Sequence, residues 1–337
     1  MRLVAPLALM LLTSSFARGA SFDCAKARTP QEKAICSSPQ LSAADDQLAA
    51  AYHSALAAAP ADMTEPTRAS QRAWLRAIAI QCQAGEPASA ESLPACMLQY
   101  YRDRTNFLAH LVFQMGGITF VWRSDAGAAP ASKDADNPSP QPTLWTSVWP
   151  QALSNAPEWK AWNAAIESAA KDPPGSDAGE APGEPGMDTD VDVTVAFVNP
   201  QLVSTSVSNM WYGHGAAHPN LDFIELNWLL KDGRELKSED VFRASTGWEQ
   251  FLAARCDEAA RAQLGDMYAD NPPPGKIPDA MFGIVRNPRS WQIDSEGITV
   301  EFGPYEIGCH ACTPNPVTIP WSALRPFLTP DFAAFAK

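Results

Sequence analysis

The chain has 337 residues, and its 25 lysine and arginine side chains stand against 38 aspartates and glutamates, a formal charge of −13. That balance repels nucleic acid and anionic lipid and favours basic partners, chiefly by speeding encounter. Beyond the N-terminus no stretch approaches the ~20 consecutive apolar residues that a membrane-spanning helix requires.

In chain order, residues 1–20 read as a secretory signal: Arg2 at the start, an apolar run from Leu3 to Phe16, and the small-x-small site Ala17-Arg18-Gly19. A periplasmic or secreted protein cleaved near residue 19–20 is therefore expected. Loss of Arg2 and Arg18 takes the formal charge from −13 to −15. The acidic excess lies beyond residue 115: residues 20–115 carry 8 basic and 9 acidic side chains, 116–190 carry 4 and 11, and 191–337 carry 11 and 18. Phe22 and Asp23 precede Cys24 where small residues would mark a lipid anchor, so none is expected.

Residues 21–115 predict a small helical domain. Thr29-Pro30-Gln31-Glu32 is a capping box with proline at the first helical position, opening a short helix that runs to Cys36. Ser38-Pro39 starts a second helix, whose stripe is Leu41, Ala44, Leu48, Tyr52 and Leu56. On this reading the pair Asp45-Asp46 faces solvent. A third helix carries Trp74, Leu75 and Ile78 towards Cys82. A fourth begins near Pro94 and presents Met97, Tyr100, Tyr101, Leu108 and Leu111.

Seven cysteines follow the signal, and in an oxidising compartment most should pair. Cys24, Cys36, Cys82 and Cys96 allow three connectivities; Cys24–Cys36 with Cys82–Cys96 is preferred because each pair flanks one short segment. Cys256, Cys309 and Cys312 are odd in number, so one of them is unpaired. Cys256 bonding to Cys309 or Cys312 is one arrangement, and a Cys309-x-x-Cys312 redox pair is another.

The Pro/Ala/Gly/Asp-rich tracts 124–142 and 172–188 read as flexible linkers or long loops. Between them, Trp145–Ala170 predicts one helix around Trp159, Trp162 and Ile166. Residues 116–190 are thus a linker-rich segment with one helix, which can belong to the following domain. From residue 191 the period becomes two. Val191, Val193, Val195 and Phe197 predict a strand, Leu202–Trp211 a second, and Ile224 to Leu230 a third, ended by the turn Lys231-Asp232-Gly233-Arg234. Trp248, Leu252, Cys256 and Leu264 mark a helix. Ile298, Val300 and Phe302 alternate again, and Val317, Ile319 and Trp321 form a last strand that Pro320 pushes to an edge. The expected fold class is α+β: a disulfide-linked all-α N-terminal domain, then an antiparallel-sheet α+β domain over 191–337.

Two resemblances cover most of the chain. Phe22-Asp23-Cys24-Ala25-Lys26, Thr29 to Cys36, Leu41, Asp45, Leu48, Ala51-Tyr52, Gln71-Arg72-Ala73-Trp74-Leu75, Cys82 and Cys96 resemble the N-terminal domain of LprI-type lysozyme inhibitors, over residues ~22–110. Gly215 to Asn220, Leu229 to Leu236, Asp240-Val241-Phe242, Phe302 to Ile307 and Val317 to Trp321 resemble the C-terminal domain of RsiV-type anti-sigma factors, over residues ~190–328. That domain is also found appended to peptidoglycan deacetylases. The chain departs from the second family in Gly308-Cys309-His310-Ala311-Cys312, and it lacks a deacetylase domain, so no enzymatic or signalling activity carries over. Both families imply lysozyme as a ligand.

Two loops supply the candidate contacts. Tyr212, His214, His218 and Asn220 lie among small residues and offer hydrogen bonds to carboxylates such as those of a lysozyme cleft. Tyr305 and Glu306 lead the second loop. His214, His218, Cys309, His310 and Cys312 are zinc-ligand types, but the two groups are far apart in sequence, and neither a metal nor a cofactor is assigned. No nucleophile, metalloprotease or phosphate-loop motif stands out, and Ser168-Ala169-Ala170-Lys171 lacks the partner motifs of a penicillin-binding site. No catalytic residue is assigned. The expected protein binds lysozyme and blocks its cleft; the alternative is a non-enzymatic envelope module that binds peptidoglycan or another envelope protein.

Overall fold

The computed structural model describes residues 20–83, 93–131, 141–173, 183–268, 273 and 275–335. The expected signal, but for Ala20, and the middles of both proline-rich tracts lie outside them. The chain divides into two compact units, one within Met1–Ala57 and Gly85–Ala109, the other within Ala58–Ala84 and His110–Lys337.

The helical N-terminal region holds α1 (Pro30–Ser37), α2 (Pro39–Ala58), α3 (Thr64–Gln83) and α4 (Leu93–Ala109). α1 starts where the capping box requires: Thr29 Oγ1 accepts from the Glu32 amide at 3.2 Å, and Glu32 Oε2 accepts from the Thr29 amide at 2.9 Å. Disulfides join Cys24 to Cys36 and Cys82 to Cys96. In the first unit, α2 buries Leu41, Ala44, Leu48 and Ala55, while α4 buries Met97, Tyr101 and Leu108. Asp45 is not on a solvated face as expected. It is 8% exposed and accepts the Ser21 amide at 2.7 Å. Burial, and then the Asp45 charge, raise the Tyr101 phenol above its ordinary value.

In the second unit, α3 packs on the second strand of a large sheet and buries Trp74, Ala77, Ile78 and Cys82, whereas Leu75 faces outward. The sheet is formed by β1 (Val112–Met115), β2 (Ile118–Ala129), β3 (Thr143–Ala152), β4 (Met187–Val198), β5 (Leu202–Gly213), β6 (Asn220–Leu229) and β7 (Arg234–Glu235), lying in chain order. All neighbours are antiparallel except β3 and β4, which run parallel. Parallel neighbours need a crossover, and α5 (Pro157–Lys171) supplies it. Gly116 and Gly117, both at positive φ, make the two-residue β1–β2 turn, a conformation that side chains resist.

Two expectations change here. Residues 124–129 of the first tract continue β2 rather than forming a linker, and Trp145–Ala152 is strand, so the predicted helix begins only at Pro157. The apolar layer over the sheet explains both. Trp159, Trp162 and Ile166 of α5 pack on Phe120, Trp149, Val191, Val193 and Val207, with Phe120, Trp159 and Trp162 meeting edge to face. Strand pairing across β2 and β3 carries the small residues along with it.

The rest of the second unit comprises α6 (Ser238–Val241), α7 (Trp248–Leu264), α8 (Asp279–Arg286), β8 (Trp291–Ile293), β9 (Gly297–Val300), β10 (Val317–Pro320), α9 (Trp321–Leu324) and α10 (Pro330–Phe335). β8 to β10 form a three-stranded sheet with β10 at its edge, where Pro320 costs no ladder bond. Leu252, Cys256, Met281, Val285, Trp291, Ile298, Val300 and Trp321 share one core with Leu202 of β5. Buried and half-buried polar side chains tie the small sheet to the large one. Asn227 Nδ2 donates to Trp291 O at 2.6 Å, Ser204 Oγ accepts the Ile293 amide at 3.1 Å, and Gln292 Nε2 donates to Ser206 Oγ at 3.1 Å.

Candidate functional site

The two candidate loops, one from each sheet, meet at one edge of the second unit. The His218 and His310 rings lie 4.4 Å apart between centroids, and the Tyr305 ring lies 5.5 Å from His310. His218 leaves the β5–β6 connection; Tyr305 and His310 leave the segment between β9 and β10. Tyr305 is 59% exposed and holds a φ of 66°, a left-handed conformation that non-glycine residues seldom adopt. Glu306 folds back to accept the Gly303 amide at 2.6 Å, closing the turn that presents the Tyr305 ring.

Tyr212 and Asn220 are strand residues, not loop residues. Tyr212, next to last in β5, stands opposite Asp188 of β4, and Asn220 opens β6 opposite Trp211. Tyr212 donates from its hydroxyl to Ala216 O at 3.2 Å, bracing the loop. His214 turns inward, with its side chain 4% exposed, and its Nε2 lies 3.1 Å from Asp188 Oδ1. A carboxylate only accepts, so Nε2 donates to Asp188, and among the described residues the buried Nδ1 has no partner. His218 Nδ1 lies 2.9 Å from Pro219 O, a carbonyl to which it can only donate. His214 therefore shapes the loop, and His218 faces outward.

The cluster is acidic. Partial desolvation raises the Glu306 carboxyl above the usual range although the residue as a whole stays exposed; the Gly303 amide opposes the rise and the Asp222 charge adds to it. Asp188 and Asp222 were missed by sequence reasoning. Asp188 sits in the tract read as linker, and Asp222 is a single acid within an alternating strand.

Cys256 does not tie α7 to the second loop. Cys309 and Cys312 bond to each other, and Cys256 is a free, fully buried thiol whose pKa burial pushes up to about 12. With both sulfurs of the loop in a disulfide, neither offers a thiolate to zinc. Among the described residues no group of three or more His, Cys, Asp or Glu side chains could hold a metal ion, and no helix is long and apolar enough to cross a membrane.

A helical, disulfide-bonded N-terminal region followed by an antiparallel-rich sheet with an exposed aromatic loop cluster defines the class. Residues 24–108 match the family described as Lysozyme inhibitor LprI. Over 67% of its length the chain is similar to 99% of a DUF3298 family member from Bacteroides fragilis, at 15% identity and a TM-score of 0.49. It is also similar to 95% of a DUF3298 family protein from Pseudomonas aeruginosa PAO1 over 64% of this chain, at 12% identity and a TM-score of 0.43. No curated protein matches the chain.

Proposed function

We propose that the protein is an exported lysozyme-binding protein that inhibits or sequesters the enzyme. The match of residues 24–108 to a lysozyme inhibitor family carries this reading. The RsiV-type resemblance of residues ~190–328, itself an expectation, points to the same ligand. The acidic charge of the chain suits a basic enzyme, since opposite charge speeds encounter.

On this reading Tyr305 and His218 are contacts at the rim of the lysozyme cleft. Tyr305 is the natural anchor, because an exposed, geometrically fixed aromatic ring buries area at little entropic cost. Tyr212, His214, Asn220 and Glu306 hold the two loops in shape around it.

The test is the rate of lysis of a cell-wall suspension by c-, g- and i-type lysozymes, with and without the mature protein. Stoichiometric slowing of one class supports inhibition. Unchanged lysis by all three, with no complex on size exclusion, overturns the reading. Retention on isolated peptidoglycan without lysozyme would favour an envelope-binding module instead.

A further inference from the structure

We propose that the Cys309–Cys312 disulfide is a thiol–disulfide exchange site that oxidises a dithiol polypeptide, a second activity of the loop cluster assigned above to lysozyme binding. The bridge is a weak candidate for a structural staple. It spans a sequence separation of 3, against 12 for Cys24–Cys36, and the chain entropy a disulfide removes grows with the loop it closes. The segment it joins is already held by Cys312 N donating to Cys309 O at 2.8 Å.

The two sulfurs are not equivalent. Cys309 is an exposed residue, while Cys312 is 6% exposed and packs in the core of the second unit. An incoming thiolate therefore meets the Cys309 sulfur, and the Cys312 sulfur is the leaving group. Beside Cys309, the His310, His218 and Tyr305 rings form a shelf on which a polypeptide can lie. Glu306, three positions before Cys309, and Asp222, whose charge acts on it, make the approach negative. Neutral or basic polypeptide thiols are favoured over an anionic small thiol such as glutathione.

In the exchange, a thiolate of the polypeptide attacks Cys309 Sγ. The Cys309–Cys312 bond breaks, and its electron pair leaves on the Cys312 sulfur, which takes up a proton. The polypeptide's second thiolate then attacks its own sulfur in the mixed disulfide, releasing Cys309 as a thiolate that is protonated in turn. Two thiols become a disulfide, one disulfide becomes two thiols, and the two protons lost by the polypeptide end on Cys309 and Cys312.

The experiment mixes the full mature chain with an equimolar synthetic lysine-bearing peptide containing two cysteines, under argon, and follows peptide disulfide by mass spectrometry. Differential alkylation of the parent protein identifies the disulfide consumed. The expected result is peptide oxidation about tenfold faster than with the Cys309→Ser/Cys312→Ser variant, with new thiols at Cys309 and Cys312 alone. A neutral disulfide, hydroxyethyl disulfide, should also be captured by Cys312→Ser, at Cys309, and not by Cys309→Ser. Consumption of Cys24–Cys36 or Cys82–Cys96 instead, or no peptide oxidation by the parent, overturns the proposal. Because alkylation is read on the parent protein, misfolding of a variant cannot rescue it.

Discussion

Gly127 and Trp145 stand opposite each other across the β2–β3 ladder, and the indole occupies the space that any side chain at 127 would need. A glycine in a strand interior commonly marks such a close approach. Gly127→Val should destabilise the protein by roughly 1–3 kcal/mol through overpacking. Adding Trp145→Ala should make the glycine replacement nearly neutral. Urea unfolding of the single and double variants checks both, and a Gly127→Val protein as stable as the parent would show that the indole does not cover that site.

Glu225 is 2% exposed, accepts the Ser206 hydroxyl at 2.9 Å, and has its pKa pushed up to about 8 by burial, with Glu301 adding to the rise. The folded state therefore holds a proton between pH ~4.5 and ~8 that the unfolded chain releases. Stability should fall as pH rises through that window. Glu225→Gln should flatten the fall, leaving melting nearly unchanged near pH 5 and raising it by several degrees near pH 8, by about 4 kcal/mol at most. Melting curves across this range decide it; parallel profiles for the two proteins would mean that Glu225 ionises freely.

Tyr305 should show stability and binding moving in opposite directions. Asparagine tolerates its left-handed backbone better than tyrosine does. Tyr305→Asn should thus leave stability unchanged or raise it by up to about 1 kcal/mol, while on the proposed reading lysozyme binding weakens roughly tenfold. Calorimetric titration alongside thermal melting separates the two effects. Unaltered affinity would remove Tyr305 from the contact surface.

The pairing of His218 with His310 should be detectable as coupling. An aromatic contact of this kind contributes about 0.5–1.5 kcal/mol, so His218→Ala and His310→Ala together should cost less lysozyme affinity than the sum of their separate effects. Strict additivity in a double-mutant cycle would mean that the two rings act independently.

With a formal charge of −13, association with a basic lysozyme should slow as salt rises from ~0.02 to ~0.3 M, with dissociation little altered. Stopped-flow rates check this. An association rate indifferent to ionic strength would rule out steering by the acidic surface.

Much of the fold is legible because short-range rules set it. The capping box starts α1 at Pro30, and alternation marks β4, β5 and β6, although β4 and β6 each begin four residues before the alternation becomes visible. Residues 124–129 were not legible, since alanine and glycine carry no alternating signal and their strand state is imposed by the neighbouring strand. The β3–α5–β4 crossover was missed because the aromatic run around Trp145 and Trp149 fits a helix as well as a strand. At the candidate site, motif resemblance singles out both loops, but only tertiary packing sets His218 against His310. Cys256 does lie on the apolar face of α7; which cysteine its neighbours choose is a matter of loop geometry that spacing does not encode.

The path of the chain through its two compact units constrains how the protein can be taken apart. The family match runs over residues 24–108, yet α3 within that span packs on β2, outside it. A fragment ending near residue 110 would expose the Trp74–Ile78 face to water, and a fragment beginning there would leave β2 uncovered. No single cut separates the units, so the matched segment would have to be excised by circular permutation or by redesign of the α3 face. The same interleaving means that duplication or exchange of the matched segment as a cassette would carry away part of its neighbour's core.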